Sequence, residues 1–331
     1  MKALVTGATG FMGSSLVREL LKDGKEVKVL LRENSVTGNI DGLDVEKAYG
    51  DIRDGEAMRT ALQGCDTLYQ MAALNAFWAP NSKIFYDINV EGTRTALNAA
   101  LEQDVEKVVY TSTALTTGAH GVNNPANEHS EFNLWDTGDH YTRSKYLGEL
   151  EAKKLLNNGL PLVIVNPTQA VGLRDIKPSI TGQTILNILN RKVPGYFDSG
   201  ANIVDVEDVV RGHILAAQKG RVGESYILGN ENITMKDYCE LIGEVSGIEP
   251  PRTEMRASTA IPMAYFMQFI SSITRKPPLI SPSMMRGATK YAYYDCSKAV
   301  TELGLPQTPI MGAIEKAVNW FRDNGYVKTE G

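Results

Sequence analysis

No run of apolar residues in this 331-residue chain reaches the ~18 needed to span a bilayer. The nearest candidate, IPMAYFMQFISSI at Ile261–Ile273, is too short to cross one and is expected to line or cap an apolar cleft. Cysteine is scarce: Cys65, Cys239 and Cys296 fall at unrelated spacings with no CxxC, which argues against a zinc site and a disulfide framework and suits a reducing cytoplasm. His120, His129, His140 and His213 are scattered and suggest no metal site. The N-terminal MKALVTGATG turns glycine-rich after a few apolar residues, unlike a signal peptide. Lysine and arginine are dispersed in a chain of net charge −5, so an electrostatic footprint for nucleic acid is missing. There is no internal repeat or low-complexity tract. At 43% hydrophobic and 22% charged residues, the chain reads as an ordinary globular protein.

What is present is an alternation. KALVTG, EVKVLLR, VEKAYGD, CDTLYQMA, VEKVVYTS and LPLVIVNP are short, rich in β-branched residues and bounded by turn formers, which predicts strands. Between them SSLVRELLKDG, GEAMRTALQG, VEGTRTALNAALEQ and YTRSKYLGELEAKKLLNNG carry apolar residues at helical spacing. This order predicts an α/β protein: a doubly wound parallel sheet with helices on both faces. After about residue 172 the pattern weakens. QTILNILNRK, VEDVVRGHILAAQKG, MKDYCELIGEVSG and IMGAIEKAVNWFRDNG are predicted helices, GESYILG a strand, and residues 250–282 are rich in proline.

Directly after the first strand, TGATGFMGSSLVREL sets Gly7, Gly10 and Gly13 in a G-x-x-G-x-x-G turn leading into a helix. Strand, glycine turn and helix start bring backbone N–H groups and the positive helix end up to a pyrophosphate, where a Cβ would obstruct the approach. Further on, GDHYTRSKYLGEL spaces Tyr141 and Lys145 four apart, on one face of a predicted helix and within reach of a common ligand.

Together these motifs resemble the short-chain dehydrogenase/reductase superfamily, and the length points to its extended branch of epimerases, dehydratases, dihydroflavonol reductases and 3β-hydroxysteroid dehydrogenases. GDIRD (Gly50–Asp54), MAAL (Met71–Leu74), NVEGT (Asn89–Thr93), YTST (Tyr110–Thr113) and NPTQAVG (Asn166–Gly172) extend the match over nearly the whole chain. Within the branch it is similar to dihydroflavonol-reductase-like proteins, including hopanoid-associated sugar epimerases. The resemblance implies a Rossmann-type cofactor domain over 1–172, with part of 200–230 returning to it, and a smaller substrate-binding lobe over 173–331. It implies cofactor contacts at Gly7, Thr9, Gly10, Phe11, Met12, Gly13, Asn89 and Thr111. Asp51 would accept from the adenine amino group with Ile52 on the ring, Ala72 and Ala73 would pass under ribose and pyrophosphate, and Pro167, Thr168 and Gln169 would border the nicotinamide. It also implies a homodimer, paired through the helices that follow Asn89 and Tyr141.

A carboxylate at the end of the second strand would select NAD; here Leu31 stands in its place and Arg32 follows. A guanidinium fork binds phosphate bidentately, so NADP is expected over NAD, although Glu33 is next in line. Hydride transfer to a carbonyl leaves charge on oxygen, and Tyr141 is the expected proton donor. Lys145, with the positive ring of the oxidised cofactor, is expected to lower the phenol from its ordinary value near ~10 and to bond the nicotinamide ribose. A third group, Thr113 or its neighbour Ser112, would bond the substrate oxygen; alternation along the strand lets only one face the cleft, and Thr113 is favoured. His140 reads as a loop residue.

Nucleotide-sugar enzymes of the branch carry an arginine clamp where this chain has Ala201, and a tyrosine near Gly172 where it has Val171, with Arg174, Lys177 and Arg191 as the other cations to consider. Phe77, Trp78, Leu115, Trp135, Tyr196 and Ile261–Ile273 suggest an apolar pocket for a small carbonyl or alcohol substrate. The leading expectation is an NADP(H)-dependent reductase of an apolar or aromatic ketone or aldehyde. A sugar-nucleotide epimerase or dehydratase, and an NADP-binding scaffold without catalysis, are the alternatives.

Overall fold

The computed structural model describes residues 1–76, 78–137, 139–274 and 282–327. The six strands expected in the first half form as β1 (Lys2–Thr6), β2 (Glu26–Leu31), β3 (Glu46–Tyr49), β4 (Thr67–Gln70), β5 (Lys107–Thr111) and β6 (Leu162–Pro167). Later come β7 (Gln169–Val171), β8 (Tyr196–Phe197), β9 (Gly200–Asp205), β10 (Ser225–Leu228), β11 (Glu231–Thr234), β12 (Glu254–Met255) and β13 (Tyr291–Ala292). The main sheet has seven parallel strands in the order β10-β6-β5-β4-β1-β2-β3, so GESYILG returns to its edge as β10. The order reverses at β1, between β2 and β4, which opens a crevice at the carboxyl edge where ligands bind in sheets of this kind.

Both faces of this sheet are covered, and the strand residues divide by parity. Val109, Val163 and Val165 pack on one face with helices α1 (Phe11–Lys22) and α7 (Val206–Lys219). Val108, Tyr110, Leu162 and Ile164 pack on the other with α2 (Gly55–Leu62), α4 (Thr93–Glu102) and α5 (His140–Leu156). Burial on both sides is why β5 and β6 read as unbroken apolar runs rather than alternating ones. Ahead of α4 lie a short α3 (Lys83–Tyr86) and a π-helical segment, Asp87–Gly92, a distortion common at functional sites.

The second half builds a smaller sheet of β11, β9, β13 and β7, with α6 (Ile180–Leu189), α8 (Met235–Ser246) and α11 (Ile310–Asp323) around a third core that includes Ile185, Ile242, Ile314 and Phe321. The proline-rich region contains α9 (Ala257–Thr274) and α10 (Pro282–Ala288). The short strands β7, β8 and β11 to β13 carry no alternation long enough to read from sequence. Ile261–Ile273 lies within α9, but this helix turns Tyr265, Phe266, Phe269, Ile270 and Ile273 outward, so it caps more than it lines.

One contact fixes how α5 meets the sheet. A Cβ on Gly148 would lie 2.2 Å from the Asn89 carbonyl oxygen and 3.1 Å from the Tyr110 hydroxyl. Alanine in a helix interior normally stabilises by about 1 kcal/mol over glycine. Gly148→Ala is therefore expected to do the opposite, lowering stability by roughly 1–3 kcal/mol through backbone overpacking; a chemical denaturation midpoint that rises with this variant would contradict the packing described.

Candidate active site

Because the seven strands are parallel, the segments at their ends collect at one edge: the glycine turn after β1, Arg32 after β2, Asp51 after β3, Ala72 and Ala73 after β4, Thr111 to Thr113 at the end of β5, and Pro167 to Gln169 where β6 passes into β7.

The glycine turn is a cradle that side chains would fill. Gly7 adopts φ +69°, and a Cβ there would come within 2.9 Å of the Ala72 amide; a Cβ on Gly13 would lie 2.2 Å from the Gly7 carbonyl oxygen. Thr6 sets the distance between the two loops. Its hydroxyl donates to Gln70 at 2.8 Å and accepts from the amides of Met71 and Ala72 at 3.0 Å each. α1 begins after Gly10, which has no side chain to cap it, so the first-turn amides of Phe11 and Met12 are presented to an anion while their side chains pack on the core. Asn39 holds the turn from outside, donating to the carbonyls of Thr9 at 3.1 Å and Arg174 at 3.4 Å. Arg174 thus lies beside the turn; burial lowers the Arg18 guanidinium, and the charge of nearby Arg174 adds to that lowering. This donor set and shape fit the pyrophosphate of a dinucleotide.

Arg32, Glu33, Asn34, Tyr49, Gly50 and Asp51 line an open cleft of about 510 Å³. Asp51 is bound on both oxygens by the Arg53 guanidinium, at 2.8 and 2.9 Å, and Oδ1 also accepts from Arg53 N at 2.9 Å, which holds its carboxyl below the usual range; Oδ2 keeps a lone pair for a further donor. Ile52, expected against an adenine ring, is instead 6% exposed and packed against Gly92. Asn89, expected to touch cofactor, has its side chain committed within the protein. It donates to Leu74 O at 3.1 Å and Ser144 Oγ at 2.9 Å and accepts from Leu74 N at 2.7 Å, tying the loop after β4 to α5. Thr111 is likewise a support: its hydroxyl meets His213 Nε2 at 3.0 Å, and its carbonyl accepts from Lys145 Nζ at 2.8 Å. His213 Nδ1 contacts Val209 O at 2.8 Å, which makes that nitrogen the donor and Nε2 the acceptor. Burial lowers His213 to about 4, so it is neutral.

α5 is capped by Asp139, whose carboxylate accepts from Tyr141 N at 2.9 Å and Thr142 Oγ1 at 2.7 Å. His140 is its first helical residue rather than part of a loop, held by Tyr86 at 3.0 Å and stacked on Phe85. The fold brings the side chains of Tyr141 and Thr113 together, near enough for the Thr113 hydroxyl to act on the phenol. Ser112 is the neighbour that does not join Tyr141, and its buried hydroxyl makes no hydrogen bond among the described residues.

The electrostatics differ from the expectation that Lys145 lowers the phenol. Burial, with Asp139 adding to it, pushes Tyr141 up to about 12, and the nearby Thr113 hydroxyl opposes this. Lys145 is itself buried and brought down to about 8, with Glu149 pulling the other way. Glu149 is the residue that reading the sequence missed. Its carboxylate takes Thr116 Oγ1 at 2.7 Å, Asn166 Nδ2 at 3.0 Å and Lys153 Nζ at 2.7 Å, and stays ionised although 5% exposed. The signal was present, since Glu149 continues the four-residue spacing of Tyr141 and Lys145.

Of the expected pocket residues, Leu115, Trp78 and Tyr196 are half-buried and Phe77 lies outside the described residues. Trp135 is 45% exposed and packs edge-on to Phe132 and Tyr146. Ala201 is buried in β9 and Val171 in β7. The three cysteines are buried free thiols.

Against known proteins, the chain is 37% identical to a Synechocystis sp. protein carrying a provisional name of dihydroflavonol 4-reductase, covering 98% of this chain and 96% of the other. It is 35% identical to sterol demethylase protein B of Methylococcus capsulatus, over 99% and 100% of the two. A crystal structure of gox2253 superposes with a TM-score of 0.88 at 37% identity, covering 98% of this chain and 99% of that one. The family model described as NAD dependent epimerase/dehydratase matches residues 3–229. With that match over the cradle, the Tyr141–Lys145 helix and the returning strand, the chain belongs to the NAD dependent epimerase/dehydratase family, the extended short-chain dehydrogenases/reductases.

Proposed function

We propose that the protein reduces a ketone or aldehyde on an apolar substrate to the alcohol, using NADPH. The observation that carries this reading is the Tyr141 phenol set beside Thr113 at the sheet edge and one turn from Lys145, where burial raises it to about 12 and keeps it protonated at neutral pH. A phenol in that state is a proton donor, which suits the reductive direction. The nicotinamide supplies the hydride when bound. Thr113 and Tyr141 hold the carbonyl oxygen, and the proton of Tyr141 passes to it as its negative charge develops. Lys145, fixed by the Thr111 carbonyl, keeps a cation within the site and reaches toward the ribose hydroxyls. In the reverse direction Tyr141 would have to be a base, which requires the positive charge of the oxidised cofactor nearby.

NADP preference rests on Arg32, exposed at the mouth of the cleft that ends at Asp51, where a 2′-phosphate would find a guanidinium and not a strand-end carboxylate. The apolar character of the substrate rests on the missing clamp, since Ala201 is buried in β9 and offers no cation to a diphosphate, and on the name of the sterol-processing relative. The family's own name supports the second reading, epimerisation or dehydration, in which the cofactor returns to its starting state in every turnover.

Tyr141→Phe is expected to lower turnover by about 10²–10⁴-fold while NADPH still binds, measured by stopped-flow NADPH oxidation and fluorescence titration; undiminished turnover would remove Tyr141 from the chemistry. Arg32→Ala should weaken NADPH about 10–100-fold, the loss of a charge-assisted contact, and leave NADH nearly unchanged; equal loss for both would place the 2′ subsite elsewhere. Reduction should hold steady through neutral pH and decline as pH rises past about 8, where Lys145 gives up its proton. A rate that climbs across that range would assign the profile to another group, and catalysis without net NADPH consumption would favour the second reading.

A further inference from the structure

The most exposed apolar surface of the described molecule lies outside this site. On α9, Tyr265 is 53% exposed, Phe266 64%, Phe269 63%, Ile270 43% and Ile273 68%. Positions 265, 266, 269, 270 and 273 recur at helical spacing and fall on one side, while Ala264 and Ser271 are buried on the other. Five large apolar side chains this open to water form a patch of a size that soluble monomers rarely leave uncovered.

The charge around the patch indicates what covers it. From Met255 to Tyr294 the sequence contains no aspartate or glutamate but has Arg256, Arg275, Lys276, Arg286 and Lys290, although the chain as a whole carries −5. Arg256 stands immediately before α9. Arg286, on the adjoining α10, donates Nη1 to the Tyr265 hydroxyl at 3.0 Å, which sets a guanidinium at the rim of the apolar face. Among the described residues no helix is long and apolar enough to cross a membrane. An aromatic and aliphatic stripe with basic flanks, too short to span, is the composition of a helix that lies in a lipid interface.

We propose that α9 seats the protein on an anionic bilayer surface, its Tyr265–Ile273 face entering the headgroup region and its basic rim meeting lipid phosphates. A second copy of the chain is a poorer occupant, because a symmetric pairing of this face would bring two basic rims together. Placement gives the docking a consequence. α10 packs on α9 and also on the Trp135–Thr137 turn that precedes α5, so the seated face is tied to the segment leading into the Tyr141 helix.

The test is co-sedimentation of the full chain with vesicles of phosphatidylcholine alone and of phosphatidylcholine enriched in phosphatidylglycerol, at low and high salt, with sedimentation velocity of the protein alone. The expected result is a monomer-independent association that is strong on the anionic vesicles, weak on the neutral ones and reduced by salt. The triple variant F266S/F269S/I273S should lower the partition coefficient at least tenfold, given the apolar area withdrawn, with an unchanged melting transition. Arg286→Glu should lower binding to anionic vesicles several-fold and binding to neutral ones little. Failure of the wild-type chain to bind anionic vesicles would overturn the proposal irrespective of how the variants fold. So would a wild-type dimer dissolved by the triple variant, which would show a second copy to be the occupant.

Discussion

The arrangement of the site depends on one buried ion. Lys145 is 3% exposed and is held at 2.8 Å by the carbonyl of Thr111, the last residue of β5. Ammonium groups are costly to bury, and this one is brought down to about 8 by that cost, with partial return from Glu149 one turn along. The bond therefore does two jobs: it compensates the charge and it fixes the rotation of α5 relative to the sheet. With the rotation set, Tyr141 one turn earlier must face Thr113, and Glu149 one turn later must face Ser112 and Thr116. His213 extends the support from behind, with its neutral ring accepting from the Thr111 hydroxyl.

The same logic explains why glycine appears where it does. At Gly148 the helix backs directly onto the Asn89 carbonyl, and Asn89 in turn ties down the loop after β4. That loop passes beside Gly7, where the Ala72 amide leaves no room for a side chain. Cradle and Tyr141 helix are thus linked through Asn89, whose backbone carbonyl lies against Gly148 and whose side chain bonds Leu74 on both sides.

Much of this was legible in the sequence, because the carriers are local. A glycine turn between a strand and a helix, and residues four apart on one helix face, are set by backbone periodicity alone. The parallel sheet followed from the alternation of short β-branched segments with helical ones, though not the place of GESYILG at its edge. What the sequence did not disclose were effects of tertiary surroundings. Asn89 and Thr111 carry donors and acceptors fit for a cofactor, yet their partners Ser144, Leu74, His213 and Lys145 come from distant segments and absorb them. Ile52 is consumed by packing against Gly92. In the protein alone the Tyr141 phenol moves upward, because burial, which the sequence does not display, outweighs its neighbours. The Ile261–Ile273 stretch likewise has the composition of a pocket wall, and only the fold turns its aromatic side outward.

The central claim is that the Tyr141 phenol stays protonated in the protein alone and ionises more readily only when the oxidised cofactor is beside it. The most direct measurement is the alkaline absorbance titration of phenolate, taken as the difference between the wild-type chain and Tyr141→Phe, with and without NADP⁺. The account predicts an ionisation near about 12 for the protein alone, moving downward when NADP⁺ is added. A Tyr141 that titrates at the ordinary tyrosine value and is indifferent to NADP⁺ would contradict it.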